Sequence, residues 1–236
     1  METSTEKLIL GCKDASIGYD GPPVLKQLNL EWKQGSGPLA FSGPNGTGKS
    51  TLMKACLGLL KPESGTLHVL GADPSKKTFR SNLWEIGYIP QQRPPGVLRV
   101  SVRELVALSR AARLKAFQSF SHEDHEAVDQ AMELCGVMDL ADVPVQELSG
   151  GQFQRSSIAR AMAMKPKLFF LDEPTTFLDK DSRKSVVQLL QKLISENHTE
   201  LVLISHDHAL LELCTVFWAF GSGSAEPCNR EQVLAS

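Results

Sequence analysis

Several features that mark common protein classes are scarce or missing in this sequence of 236 residues. Its five cysteines are scattered and form no C-x-x-C pair, which argues against a disulfide framework and a zinc knuckle. No run of about 18 apolar residues occurs, so no segment is predicted to span a membrane. The polar N-terminus is followed by an apolar run, residues 8–10, that is too short for a signal peptide.

Charge and aromatic content argue against a nucleic-acid partner. The formal net charge is −2 and aromatic residues make up 6% of the chain. Such a chain has little attraction to a phosphate backbone and few rings for base stacking. With 42% hydrophobic and 22% charged residues, the composition instead predicts a folded, reduced, cytosolic protein. Its length suits one α/β domain carrying smaller subdomains.

The most specific motif is a phosphate-binding loop, Gly-Pro-Asn-Gly-Thr-Gly-Lys-Ser-Thr, at residues 43–51. Its glycines allow successive backbone N–H groups to point at phosphate oxygens. Lys49 supplies a cation for the phosphates, and Ser50 supplies a hydroxyl for Mg²⁺. The helix predicted after the loop adds its positive N-terminal end. We expect the whole loop to bind nucleotide: Gly43, Pro44, Asn45, Gly46, Thr47, Gly48, Lys49, Ser50 and Thr51.

The surrounding pattern predicts an α/β fold, with a P-loop NTPase core and a mostly parallel sheet. An antiparallel β subdomain is predicted ahead of the loop, from strand-like stretches at residues 8–11, 15–19 and 24–32. Further strands are predicted at residues 38–42, 66–70, 84–90, 168–171, 200–205 and 216–223, and helices at 51–60, 152–164, 180–196 and near Glu231.

Helical periodicity between about residues 100 and 140 predicts a helical subdomain. Ser121 and Asp124 there resemble a capping box, which indicates a helix start. We therefore expect one domain over residues 1–236, with the core and β subdomain at about 1–98 and 145–236. The helical subdomain would occupy about 99–144.

Two adjacent carboxylates, Asp172 and Glu173, follow the apolar strand predicted at residues 168–171. Open α/β sheets bind ligands at the carboxyl ends of their strands. Asp172 there suits the binding of Mg²⁺ or its water, and Glu173 suits a general base acting on an attacking water.

A second anion-binding stretch, Leu-Ser-Gly-Gly-Gln, occupies residues 148–152. It combines a serine hydroxyl and glycine amides at a predicted helix start. On this pentapeptide and the motifs above, the chain resembles the nucleotide-binding subunits of ATP-binding cassette (ABC) transporters. The resemblance implies that Ser149, Gly150, Gly151 and Gln152 close over ATP held by a second copy, in a head-to-tail dimer.

The resemblance also implies roles for residues outside these motifs. Tyr19 would stack on adenine, and Asp179 would lie at the dimer seam. Gln91, in Gly-Tyr-Ile-Pro-Gln, would reach Mg²⁺ and the attacking water, with Gln92 a second candidate. His206 would contact the γ-phosphate. The implied catalytic residues are Glu173, His206, Gln91 and Lys49, and the implied Mg²⁺ ligands are Ser50, Gln91 and Asp172.

An ATP-hydrolysing subunit that drives separate membrane permease subunits is the function this resemblance implies. It would use ATP and Mg²⁺ at the cytoplasmic face of the inner (plasma) membrane. Gly-Tyr-Ile-Pro-Gln and Glu-Pro-Thr-Thr-Phe-Leu-Asp are similar to the bacterial metal and iron-chelate importer branch, so import of metal ions or metal chelates is expected.

Two alternatives remain at this point: a soluble ABC ATPase acting on nucleic acid or the ribosome, and a P-loop kinase of a small molecule. The chain also departs from the commoner family pattern at Ser42 and Phe177. The bulky Phe177 departs from the residue usual at this position, so the family's usual packing at the dimer seam is not expected to carry over unchanged. His122 and His125 lack a third metal ligand and are assigned to a solvated helix face.

Overall fold

The computed structural model describes residues 7–91, 99–111, 113–114, 118–196 and 199–234. The chain divides into two compact units. The first unit comprises Met1–Trp84 and Glu200–Ser236, and the second comprises Glu85–Thr199. The predicted placement of a helical subdomain at about 99–144 within a single domain stays a prediction.

Three strands come first along the chain, and helices and strands follow in mixed order. In chain order they are β1 (Leu8–Ile17), β2 (Leu25–Lys33), β3 (Leu39–Ser42), α1 (Lys49–Cys56), β4 (Ser64–Val69), a 3-10 segment (Lys77–Glu85), β5 (Ile86–Ile89), α2 (Val102–Ala111), α3 (His122–Leu134), two 3-10 turns (Met138–Leu140 and Val145–Glu147), α4 (Gly150–Met162), β6 (Leu168–Asp172), α5 (Lys180–Glu196), β7 (Glu200–Ile204), α6 (His208–Leu211), β8 (Val216–Gly221), β9 (Ser224–Cys228) and α7 (Arg230–Leu234).

An antiparallel sheet in the first unit has the strand order β2-β1-β4, which confirms the predicted β element. On β2, the buried Leu28, Leu30 and Trp32 alternate with exposed residues, because successive side chains of a strand point to opposite faces. The two short strands predicted at residues 8–11 and 15–19 are one strand, β1. Its register with β2 shifts between Cys12 and Ala15, so an irregularity absorbs the polar residues without ending the strand.

The other strands of the first unit surround β3. It pairs in parallel with β7 and β8, and β8 continues into an antiparallel hairpin with β9. Leu39, Ala40 and Phe41 of β3 have no exposed surface, as expected for a strand covered on both faces. Strand β9 was not predicted, because Ser-Ala-Glu-Pro-Cys reads as a turn. Strand β9 is the last in the strand order β7-β3-β8-β9. Its Pro227 is tolerated there, because no other described strand pairs with the outer edge and needs the N–H that a proline lacks.

Helix α1 is shifted from the prediction of residues 51–60. It begins at Lys49, and its last helical residue is Cys56. Gly58 follows with a φ of 71°, and the N–H of Leu57 bonds to the carbonyl of Met53. A glycine in the left-handed region is a common helix stop. The apolar residues after Cys56 therefore lie beyond the helix.

In the second unit, β5 and β6 form a parallel pair, and all five residues of β6 are buried. Helix α3 begins with the predicted capping box, since the Ser121 side chain accepts from the Asp124 N–H and the Asp124 side chain accepts from the Ser121 N–H. Arg110 of α2 reaches the same carboxylate, with Nε 2.7 Å from Oδ1. A largely buried ion pair thereby links α2 to α3.

Acid should weaken this link between α2 and α3. Hydrogen bonds from Ser121, and then from Arg110, lower the pKa of Asp124 to about 2. An unfolded aspartate has a pKa of about 3.9. The stabilisation is therefore fully present above pH ~3.9 and is lost as the pH falls through the folded value.

The Asp124→Asn variant tests this pH dependence by urea unfolding at a series of pH values. The variant should unfold at lower urea than the wild type near neutral pH, and the difference should shrink as the pH approaches 2. A difference that stays constant down to that pH would show that Asp124 ionisation does not contribute.

Four of the cysteines, Cys12, Cys56, Cys135 and Cys214, are buried, and Cys228 is partly exposed. All five are free thiols. Burial raises the pKa of Cys12 to about 12, so this thiol stays protonated and packs as a small apolar side chain. Across the described ranges, none of the helices combines the length and apolar composition needed to cross a bilayer.

Candidate functional site

The phosphate-binding loop lies between the end of β3 and the start of α1, as its sequence predicts. Gly43, Gly46 and Gly48 have φ values of 122°, 81° and 105°, a region that side-chain-bearing residues rarely adopt. A Cβ at Gly43 would collide with the backbone oxygen of Phe220, and one at Gly48 would lie 2.6 Å from a methyl carbon of Leu25. Close packing under the loop therefore requires glycine at these two positions.

Lys49 is held against the backbone of this loop. Its side chain is buried, with the residue 6% exposed. The ammonium Nζ donates to the carbonyl oxygens of Gly43 at 2.6 Å and Pro44 at 2.8 Å. The Thr47 hydroxyl donates to the same Pro44 carbonyl at 2.9 Å. Gly48 provides no side-chain cap to α1, so no side chain of the cap residue bonds the first N–H groups of this helix. The loop therefore places a buried cation beside a helix N-terminus, which attracts anions.

His206 lies at the same end of the first unit's parallel strands as the loop. Phe41 of β3 pairs with Ile204 of β7. The loop begins two residues after Phe41, and His206 comes two residues after Ile204. His206 is exposed, whereas its neighbours Ser205 and Asp207 are buried. The Asp207 N–H donates to the Ser205 hydroxyl oxygen at 3.0 Å.

Tyr19 follows β1 and is 50% exposed. The Nζ of Lys54, on the last turn of α1, donates to its hydroxyl at 3.2 Å. The first unit therefore contains three predicted elements of the site: the phosphate loop, Tyr19 and His206. Lys54 was not predicted, because a basic residue near the end of a helix is common and its partner lies 35 residues away.

Gln91, Asp172 and Glu173 lie at the carboxyl ends of the paired strands β5 and β6. Ile89 pairs with Leu171, so Gln91 and Glu173 each come two residues beyond this pair. Asp172 ends β6 and is 6% exposed. Burial, and then the negative charge of Asp172, raise the pKa of Tyr88 to about 12. The second unit thus brings the predicted amide and both carboxylates to one edge.

Glu173 is held in an uncommon conformation. Its φ is 50°, in the left-handed region where residues with a Cβ are strained. Its Oε2 accepts a hydrogen bond from the Thr176 hydroxyl at 2.9 Å. Thr176 therefore orients the carboxylate and is a site residue that the sequence reasoning missed. The available signal was a hydroxyl three residues after the acid, in Glu-Pro-Thr-Thr.

The Leu-Ser-Gly-Gly-Gln stretch begins α4 with a capping box. The Gln152 N–H donates to the Ser149 hydroxyl oxygen at 3.3 Å, and the Ser149 N–H donates to Gln152 Oε1 at 2.9 Å. A hydroxyl that accepts in this way still carries its own proton, which it can donate to an anion. A Cβ on Gly151 would meet the side chain of Ser182, so this stretch packs on the start of α5.

Asp179 caps α5. Its carboxylate accepts from the Ser182 N–H at 3.0 Å, the Ser182 hydroxyl at 2.7 Å and the Asp181 N–H at 3.1 Å. These hydrogen bonds, those of Ser182 first, lower its pKa. Phe177 is 85% exposed with a φ of 70°. The place of Asp179 at a dimer seam stays a prediction.

The two histidines considered as metal ligands have local partners, and the second glutamine candidate lies outside the described residues. His122 lies 3.5 Å from Glu126, and the His125 ring packs edge-on against Phe120. No group of three or more His, Cys, Asp and Glu suited to a metal occurs among the described residues. Gln92, the second candidate for the glutamine position, lies outside them.

The sequence profile of the ABC transporter family matches residues 25–176, which is more than half of the chain. The chain belongs to the ABC transporter family. It is therefore a nucleotide-binding ATPase subunit of this family, as its motifs predict. Family membership excludes the alternative of a small-molecule kinase. The family's motifs include the Leu-Ser-Gly-Gly-Gln stretch and Glu173, for which a kinase would have no clear use.

Two curated relatives within the family are named for uptake or import. The high-affinity zinc uptake system ATP-binding protein of Bacillus subtilis (strain 168) is 36% identical over 201 residues, covering 84% of each chain. The iron(3+)-hydroxamate import ATP-binding protein of the same strain is 31% identical over 198 residues, covering 84% of this chain and 73% of the relative. These names favour the transporter interpretation over a soluble, non-transport ABC ATPase.

Among solved structures, the ABC ATPase chain is similar to the ATP-binding cassette MJ0796 in a dimeric, post-hydrolysis state bound to ADP and Pi. The TM-score is 0.78 at 25% identity, and the match covers 94% of this chain and 99% of that one. The predicted α/β P-loop fold is thereby confirmed.

Proposed function

We propose that this ABC ATPase powers the import of metal ions or metal chelates. It would dock on separate permease subunits at the cytoplasmic face of the inner (plasma) membrane. The observation that supports this most directly is the similarity to subunits named for zinc uptake and for iron(3+)-hydroxamate import. The glycine-lined loop with its buried Lys49 is the structural feature that this function uses.

Binding of ATP begins at the phosphate loop in this proposal. The backbone N–H groups of residues 43–51 and the N-terminus of α1 bind the β- and γ-phosphates. Lys49 exchanges contacts with the loop carbonyls for contacts with phosphate oxygens, and the negative charge is stabilised by its ammonium. Tyr19 packs on the adenine ring through its exposed aromatic surface.

The carboxylate of Glu173 acts as the general base in hydrolysis. It accepts a proton from water as the water oxygen attacks the γ-phosphorus and the bond to the ADP oxygen breaks. Thr176 keeps the carboxylate oriented. Gln91 and His206 would position the water and the γ-phosphate.

Magnesium fits the donor chemistry of the chain. The hydroxyl of Ser50, the amide oxygen of Gln91 and the carboxylate of Asp172 are hard oxygen ligands, which Mg²⁺ prefers. When bound, the ion neutralises charge on the phosphates. These three residues are the ones we propose to hold it.

The second copy of the chain would complete each nucleotide site. Ser149, Gly150 and Gly151 provide a hydroxyl and amides at the start of α4, an arrangement that binds anions. A chain that already contains one phosphate loop has no need of a second for the same nucleotide. We therefore propose a head-to-tail dimer in which this stretch faces ATP held by the partner copy.

Transport by the intact complex tests the proposed cargo. The chain would be purified from membranes with its permease and reconstituted in liposomes, and uptake of zinc(II) and of an iron(III)-hydroxamate chelate would be measured with and without ATP. ATP-dependent uptake of either solute is expected, and the same complex carrying Glu173→Gln should show none. Uptake of an unrelated solute alone would reject the proposal.

A further inference from the structure

Lys54 donates a hydrogen bond to the hydroxyl of Tyr19, and its ammonium also lies over the tyrosine ring. Its Nζ is 3.2 Å from the phenol oxygen and 5.5 Å from the ring centroid. Half of the tyrosine's surface remains exposed. An amine bound at the hydroxyl restricts rotation of the ring and leaves aromatic surface available to a ligand.

Thr51 is a buried residue one turn before Lys54 on α1. Burial raises the pKa of Tyr19, but hydrogen bonds from Thr51 and Lys54, with the charge of Lys54, lower it overall. Residues three apart lie on the same face of a helix, so Thr51 lies on the same side of α1 as Lys54, whose Nζ donates to the phenol oxygen. The phenol is therefore attached to the helix that begins at the phosphate loop.

This attachment has an energetic consequence for nucleotide binding. A mobile exposed side chain loses rotamer freedom when a ligand packs on it, and the lost entropy weakens binding. A ring already fixed to α1 loses less. Since α1 also begins at Lys49, the base platform and the phosphate loop are fixed to one rigid element.

We propose that Lys54 is a positioning residue that holds the Tyr19 ring in place for the purine base of a nucleoside triphosphate. The inference rests on the proposed binding of ATP at the phosphate loop. Lys54 acts through Tyr19 and not on the phosphates, so its effect depends on the presence of a base in the ligand.

Binding of ATP and of inorganic tripolyphosphate by the full chain tests the proposal. Lys54→Met should weaken ATP binding by about three- to tenfold and leave tripolyphosphate binding and kcat at saturating ATP unchanged. Lys54→Arg should restore most of the ATP affinity, because it keeps a charged donor. Equal losses for both ligands would make Lys54 a phosphate contact, and no loss for either would remove its role.

Coupling to Tyr19 supplies a second readout. Adding Lys54→Met to Tyr19→Phe should cause a smaller further loss of ATP affinity than Lys54→Met causes alone, because the hydrogen bond between the two side chains is already removed. Additive losses would overturn the proposal. The phenolate absorbance of Tyr19 should appear at higher pH in Lys54→Met without nucleotide, and it is distinguishable from that of Tyr88, the only other tyrosine, whose pKa is raised to about 12.

A different result would contradict the proposed function rather than the role of Lys54. If the wild-type chain binds neither ATP nor tripolyphosphate, the phosphate loop is not a triphosphate site. If it binds both ligands with equal affinity, and Tyr19→Ala changes neither, there is no base platform for Lys54 to position.

Discussion

Replacing Glu173 with glutamine lowers kcat for ATP hydrolysis by about 10²- to 10⁴-fold, the usual contribution of a general base. Glutamine keeps the size of the side chain and its hydrogen bond with Thr176, but its amide cannot accept the proton from water. The backbone strain at the φ of 50° is common to both side chains. Affinity for ATP should therefore be no weaker than in the wild type.

Phosphate release at saturating ATP measures the kcat of Glu173→Gln, and equilibrium titration measures its ATP affinity. Glu196→Gln is the matched control, because Glu196 is an exposed acid at the end of α5. That control should hydrolyse ATP at the wild-type rate. Turnover by Glu173→Gln close to that of Glu196→Gln would rule out the assignment of the base.

Replacing Lys49 with methionine has the second large effect, a fall in kcat/KM of about 10²- to 10³-fold, the size expected when one donor to a developing charge is removed. The methionine fills similar space but cannot donate to phosphate oxygens. It also leaves the carbonyls of Gly43 and Pro44 without their ammonium partner. Steady-state ATPase kinetics measure the change in kcat/KM.

Lys26→Met is the control for Lys49→Met, since Lys26 is an exposed lysine on β2 of the same unit. Unfolding midpoints of both variants separate a loss of phosphate binding from a loss of folded protein. Wild-type kcat/KM in a folded Lys49→Met protein would contradict the role of this lysine.

Residues close together in sequence made most of the candidate site predictable. The loop at 43–51 and the capping box of Ser121 and Asp124 are local patterns in which spacing determines the geometry. The carboxyl-terminal position of Asp172 and Glu173 on β6 followed from an apolar strand that ends in two acids. These predictions needed no knowledge of how distant segments pack.

Contacts that depend on backbone conformation or on distant partners were not predictable. Thr176 bonds to Glu173 in a turn where Glu173 adopts a left-handed conformation, which glutamate itself does not indicate. Lys54 meets Tyr19 because β1 brings the tyrosine beside α1. The start of α5 packs against Gly151 at Ser182, which lies 31 positions along the chain.

Complementation between two inactive variants tests most directly whether the phosphate loop of one copy acts with the Leu-Ser-Gly-Gly-Gln stretch of another. Lys49→Met disables the loop. Gly150→Asp places a negative charge at the start of α4, which suits a helix N-terminus but repels phosphate. Each variant alone should be inactive. Mixed in equal amounts, they form dimers with one intact site, and ATP hydrolysis should reappear. A mixture as inactive as its components would contradict the head-to-tail site.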